Sequence, residues 1–112
     1  MGKLSREKGK RGEREVVALL KEYGFKARRG QQFKGAKDSP DVIHDIPGVF
    51  IEVKLKEQLN IHAAMKKAGE EADGDTPLVF HRKNGVKWLV TMEANEFLFI
   101  MKNLISAKVK YE

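Results

Sequence analysis

A chain of 112 residues and 12.7 kDa supports one domain, residues 1–112, with a single core and no second module. Its apolar fraction of 41% fits a folded protein, yet no run approaches the roughly 18 uninterrupted apolar residues of a membrane span, and with no cysteine there is neither a disulfide nor a thiolate metal site. The net charge of +6 and a pI near 9.6 favour a polyanionic partner such as nucleic acid.

The basic charge lies at the front. Residues 1–14 carry six basic side chains, including Lys8, Lys10, Arg11 and Arg14, against two acids. Residues 26–37 carry five (Lys26, Arg28, Arg29, Lys34 and Lys37) and no acid, which leaves the rest of the chain at −3. A solvated face with no ligand is the alternative reading for either cluster. The amino terminus lacks the apolar run of a secretory signal, so the expected location is cytoplasmic.

In chain order, a helix starts near Ser5 or Gly12 and runs to Tyr23, since Val16, Leu19, Leu20 and Tyr23 follow helical spacing and Gly24 ends it. A short strand over 25–29 leads into the polar loop "GQQFKGAKDS". Two extended segments, 41–46 and 49–55, flank Pro47-Gly48 and read as a hairpin. Asn60 caps a second helix extending to about Asp73, with Ile61, Ala64, Met65, Ala68 and Ala72 on one face. Asn84-Gly85 signals a two-residue hairpin between "PLVFHRK" and "VKWLVT". Thr91 then caps a third helix whose inner stripe is Phe97, Ile100, Met101 and Leu104, and residues 105–111 read as a terminal edge strand. The order predicts an α/β fold, a central mixed sheet flanked by helices.

Chemistry concentrates in "SPDVIHDIPGVFIEVKLK". Strand alternation puts Glu52 and Lys54 on one face and Ile51, Val53 and Leu55 on the other. In a hairpin centred on Pro47-Gly48, Asp41 opposes Lys54 and Ile43 opposes Glu52, so the two carboxylates and the amine converge. Hard oxygen ligands with room for waters describe a Mg²⁺ site, whereas His44, His62 and His81 lack metal-ligand spacing. A metal-activated water beside a lysine points to phosphodiester hydrolysis. The alternative is a cross-strand Asp41–Lys54 ion pair with Glu52 merely exposed. Glu13, three residues before Val16, extends the helix stripe toward its start and adds a third carboxylate, or simply complements the helix dipole.

"SPD" (Ser39, Pro40, Asp41) and "EVK" (Glu52, Val53, Lys54) resemble the two motifs of the PD-(D/E)XK nuclease superfamily. "KGKRGEREVVALLKEYGF" with Glu13, followed by "SPDVI" and "IEVK", more closely resembles the archaeal and phage Holliday junction resolvases of the Hjc type, over about residues 8–97. The resemblance implies a restriction-endonuclease-like core. Asp41 and Glu52, joined by Glu13, would hold Mg²⁺, with Mn²⁺ as a substitute, Lys54 would assist the attacking water, and Ser39 would complete the catalytic set. It also implies a homodimer whose two sites make paired nicks across a four-way DNA junction, leaving 5′-phosphates. Lys8, Lys10, Arg11, Arg14, Arg28, Arg29, Lys34 and Lys37 would contact phosphates, which give affinity without reading sequence. The glutamine-tyrosine motif of the exonuclease branch is missing from "NIHAAMKKAGEEAD". Two readings compete with a resolvase: a nuclease of the same superfamily acting on another DNA substrate, and a non-catalytic DNA-binding module.

Overall fold

The computed structural model describes residues 2–30 and 41–111, with side chains described for 6–30 and 41–107. The first helix, α1 (Gly2–Glu22), is followed by strands β1 (Ala27–Arg29), β2 (Val42–His44) and β3 (Val49–Leu55). Helix α2 (Ile61–Glu71), strands β4 (Thr76–Arg82) and β5 (Leu89–Thr91), and helix α3 (Ala94–Tyr111) complete the order.

α1 buries Val16, Val17 and Leu20 against Val42, Ile51, Val53 and Phe80. Full burial of Val16 or Ile51 contributes about 1.5–3 kcal/mol each. The helix ends in a Schellman arrangement: Phe25 N–H donates to the Leu20 carbonyl at 3.1 Å and Gly24 N–H to that of Lys21 at 3.0 Å, with Gly24 at φ +89°. Gly12 sets how closely α1 crosses the sheet. A Cβ there would lie 3.1 Å from Leu55 Cβ and 3.4 Å from Val53 Cγ1.

β3 and β4 run parallel, with Glu52 opposite Val79, and α2 makes the crossover that a parallel pair requires. Asn60 caps α2 through its Oδ1, which accepts from Ala63 N–H at 3.0 Å. The small Ala64 and Ala68 bring α2 down onto Val79, with Phe50 packed beside them. The sheet therefore has α1 on the face of Ile51 and Val53 and α2 on the face of Phe50 and Val79. The architecture is the expected mixed α/β one, a three-stranded mixed sheet β3-β4-β5 flanked by helices, with β1 and β2 as a two-stranded ribbon beside it.

Several local expectations are overturned. β2 does not form a hairpin with β3: it pairs antiparallel with β1, Arg29 opposite Val42, and the ladder is extended by Gly30 N–H to the Asp41 carbonyl at 3.0 Å. The turn at Pro47-Gly48 serves other partners, since the Gly48 carbonyl accepts from Thr76 N–H at 2.9 Å and His44 Nδ1 accepts from Ile46 N–H at 3.0 Å. A turn does form at Asn84-Gly85, with Val86 N–H on the Lys83 carbonyl at 3.2 Å, but β5 starts only at Leu89 and His81 faces Leu89. That register is one residue off a tight hairpin, because Trp88 turns inward to donate its Nε1–H to Glu15 at 3.0 Å. Thr91 caps no helix; it ends β5, and its Oγ1 lies 2.8 Å from His81 Nε2.

α3 continues through the segment expected to be a terminal strand, because helical spacing persists from Phe97 through Met101 and Leu104. Its stripe is not an inner one either. Phe97, Leu98, Phe99, Ile100, Leu104 and Ile105 are all exposed, and the helix is tied to the sheet by Thr76 Oγ1–H on Glu96 Oε2 at 3.1 Å. Among the described residues, no helix is long and apolar enough to cross a membrane.

Candidate active site

The site forms on the edge of β3 that β4 leaves unpaired. Asp41, just before β2, reaches across with its side chain, and Oδ2 accepts the Val53 N–H at 2.9 Å. A side-chain to backbone bond thus does what the expected hairpin ladder does not: it holds this carboxylate against the strand that bears Glu52 and Lys54.

Glu52 is 3% exposed, the one buried charged residue among the described residues. This disposes of the reading in which it is simply exposed at an edge. It shares its face of β3 with Phe50, the face α2 covers. Lys54 Nζ stands 3.6 Å from Glu52 Oε1, so the lysine pairs with its neighbour two residues away and not with Asp41. Burial first, and repulsion by Asp41 second, push the Glu52 carboxyl up to about 7, against the pull of Lys54 and Lys67.

Glu13 approaches from the other face of the sheet on α1. Its Oε1 accepts from Arg29 Nε at 3.0 Å. Burial and Asp41 raise its affinity for a proton, and the Arg29 hydrogen bond and charge oppose them. Glu13, Asp41, Glu52 and Lys54 line one open cleft of about 610 Å³, together with Lys8 and Lys67. Among the described residues, no three His, Cys, Asp or Glu side chains gather closely enough to hold an ion by themselves. The two mutually repelling carboxylates, Asp41 and Glu52, nevertheless offer hard oxygens to a cation that would keep part of its hydration.

Among family models, the one for the archaeal Holliday junction resolvase (Hjc) matches residues 4–110. The chain belongs to the Hjc family. Members of the Hjc family are Holliday junction resolvase endonucleases, and the chain is accordingly a junction-resolving nuclease. Among solved structures it is similar to Archaeoglobus fulgidus Hjc, a Holliday junction resolvase from an archaeal hyperthermophile, at 20% identity and a TM-score of 0.54, over 73% of this chain and 74% of that one. That likeness carries the restriction-endonuclease-like fold. A search of curated proteins finds no match.

The basic residues expected to meet DNA divide by environment within this Hjc fold. Lys8 lines the cleft, with Nζ 4.0 Å from Glu57. Arg14 and Arg28 are exposed, and Lys10, also exposed, is 3.9 Å from Glu7. Arg11 donates to Asn84 Oδ1 at 2.9 Å, which joins α1 to the β4–β5 turn. Arg29 is committed to Glu13. Ser39, Lys34 and Lys37 lie outside the described residues.

Three features escaped the sequence reading. The Val53 N–H is a backbone group with no sequence signature. Lys67 belongs to a helix read only for its apolar face, although its place between Ala64 and Ala68 was a signal that it flanks the packed stripe. Glu15 takes Arg82 in a two-pronged pair, Nε at 2.9 Å and a terminal nitrogen at 3.0 Å, plus the Trp88 indole, and so anchors α1 at the height where Glu13 meets the cleft.

Proposed function

We propose that this resolvase is a Mg²⁺-dependent homodimer in which Asp41 and Glu52 hold the ion, Lys54 attends the attacking water, and Glu13 is a further acidic member of the site. The observation that carries this reading is the buried Glu52 carboxylate, beside Asp41 and 3.6 Å from the Lys54 amine. A carboxylate in that position is costly without a cation.

A bound divalent ion polarises a phosphoryl oxygen and acidifies water. The chain's own residues do the rest. Asp41 is oriented by Val53 N–H, so its carboxylate enters the cleft already fixed. Lys54, reaching the cleft from the same face as Glu52, orients the water and steadies charge developing on the phosphate. Arg29 orients Glu13 through a 3.0 Å hydrogen bond and opposes the rise in proton affinity that burial imposes. Lys8 at the cleft, with the exposed Arg14 and Arg28 beyond it, supplies phosphate contacts. The exposed apolar residues of α3 supply a surface on which a second copy buries area, and two copies give the paired sites that symmetric resolution needs.

The experiment compares a labelled four-way junction with a duplex of matched sequence, with Mg²⁺ or with chelator, and maps the cuts. Symmetric paired nicks that require the ion are expected. Asp41→Asn keeps an acceptor for Val53 N–H yet removes the charge, and cutting should fall by about 10²- to 10⁴-fold while junction binding persists. An undiminished rate would sink the assignment of the site.

A further inference from the structure

The cleft is walled by α1 on one side and α2 on the other, and each wall offers a lysine. On α2 that residue is Lys67. Ala64 and Ala68 turn into the sheet, and Lys67, on the flank beside them, sends its side chain to the rim of the cleft over the face that carries Glu52 and Lys54. Its side chain is 55% exposed, and its Nζ is 3.8 Å from Glu71 Oε1 one helical turn on. An i,i+4 pair this exposed is weak, so Glu71 parks the ammonium without committing it. Lys54 is closer to Glu52 and only 23% exposed, which makes it the inner cation of the site.

We infer that Lys67 is a positioning residue for the DNA strand being cut, binding a phosphate next to the scissile one from the α2 side, and that Glu71 holds it in readiness when no DNA is bound. The inference rests on the resolvase reading above and deepens it. Phosphates of the cut strand that cross the acidic floor of the cleft meet repulsion from Asp41 and Glu52. Cations on both walls, Lys8 and Lys67, offset that repulsion at the flanking phosphates while Lys54 serves the central one.

The test measures junction affinity by fluorescence anisotropy across a salt series, in chelator so that no cutting occurs, and cleavage kinetics separately in Mg²⁺. Lys67→Ala should weaken binding by about tenfold and lower the slope of log affinity against log salt by about 1, the signature of one lost phosphate contact. KM should rise while kcat stays close to its original value, because the contact is made equally before and during the reaction. Lys67→Arg should restore binding, and Glu71→Gln, which frees the ammonium, should tighten it. A Lys67→Ala protein with an unchanged salt slope, or one that loses kcat at constant KM, would overturn the inference and leave the resolvase reading standing. If the unaltered chain shows no preference for the junction over duplex, the resolvase reading itself fails.

Discussion

Replacing Glu52 with glutamine should stabilise the metal-free protein above about pH 7. The Glu52 carboxyl titrates near 7 in the folded chain against an ordinary value of 4.5, so the native state holds an extra proton between those limits. Stability therefore falls as pH rises through this window and is flat above it. The shift corresponds to about 3 kcal/mol at most, for a side chain almost fully removed from water. Glutamine keeps the shape and carries no charge, so Glu52→Gln should gain up to about 3 kcal/mol at pH 8, or ~10 °C in Tm for a domain of this size, and almost nothing at pH 4. Thermal unfolding in chelator at both pH values measures it. Added Mg²⁺ should then raise the Tm of the unaltered protein and leave that of Glu52→Gln in place. Equal pH profiles for the two proteins in chelator would refute the claim that this carboxylate is strained by burial.

Other parts of the molecule respond in ways that can be checked directly. Gly12→Ala puts a methyl 3.1 Å from Leu55 Cβ and should cost about 1–3 kcal/mol in urea unfolding; because it lifts α1, cutting should fall more than stability alone explains. If the proposed dimer forms through α3, Ile100→Asp with Leu104→Asp should yield a monomer in light scattering while the circular dichroism of the folded chain persists, since neither side chain is buried within its own protomer; a persistent dimer would place the contact elsewhere.

Local rules made much of this fold legible. The Val16–Leu20 stripe with the Gly24 stop located α1 and its buried face, and Asn60 marked the start of α2. Those features depend on neighbours within one turn, which a sequence displays. The partner of β3 does not. Pro47-Gly48 announced a turn, but whether β3 pairs with the strand before it or, through α2, with β4 depends on what covers its two faces. Asp41 was placed beside Glu52 by a hairpin register that does not exist, and it reaches β3 instead through one bond to Val53 N–H. Alternation put Glu52 opposite the Val16 core, yet could not say that α2 buries that second face and drives the carboxyl toward neutrality. For α3 the spacing disclosed an apolar stripe and, of necessity, nothing about which molecule covers it.

The bond from Asp41 to Val53 also answers a problem of solubility. β3 is the edge of its sheet among the described residues, and an apolar edge with an open amide invites another chain's carbonyl. Here a negatively charged side chain stoppers that amide and warns off incoming strands. Asp41→Ala would therefore cost the protein a guard against edge-to-edge aggregation together with the proposed metal ligand, and only the asparagine variant tells the two losses apart.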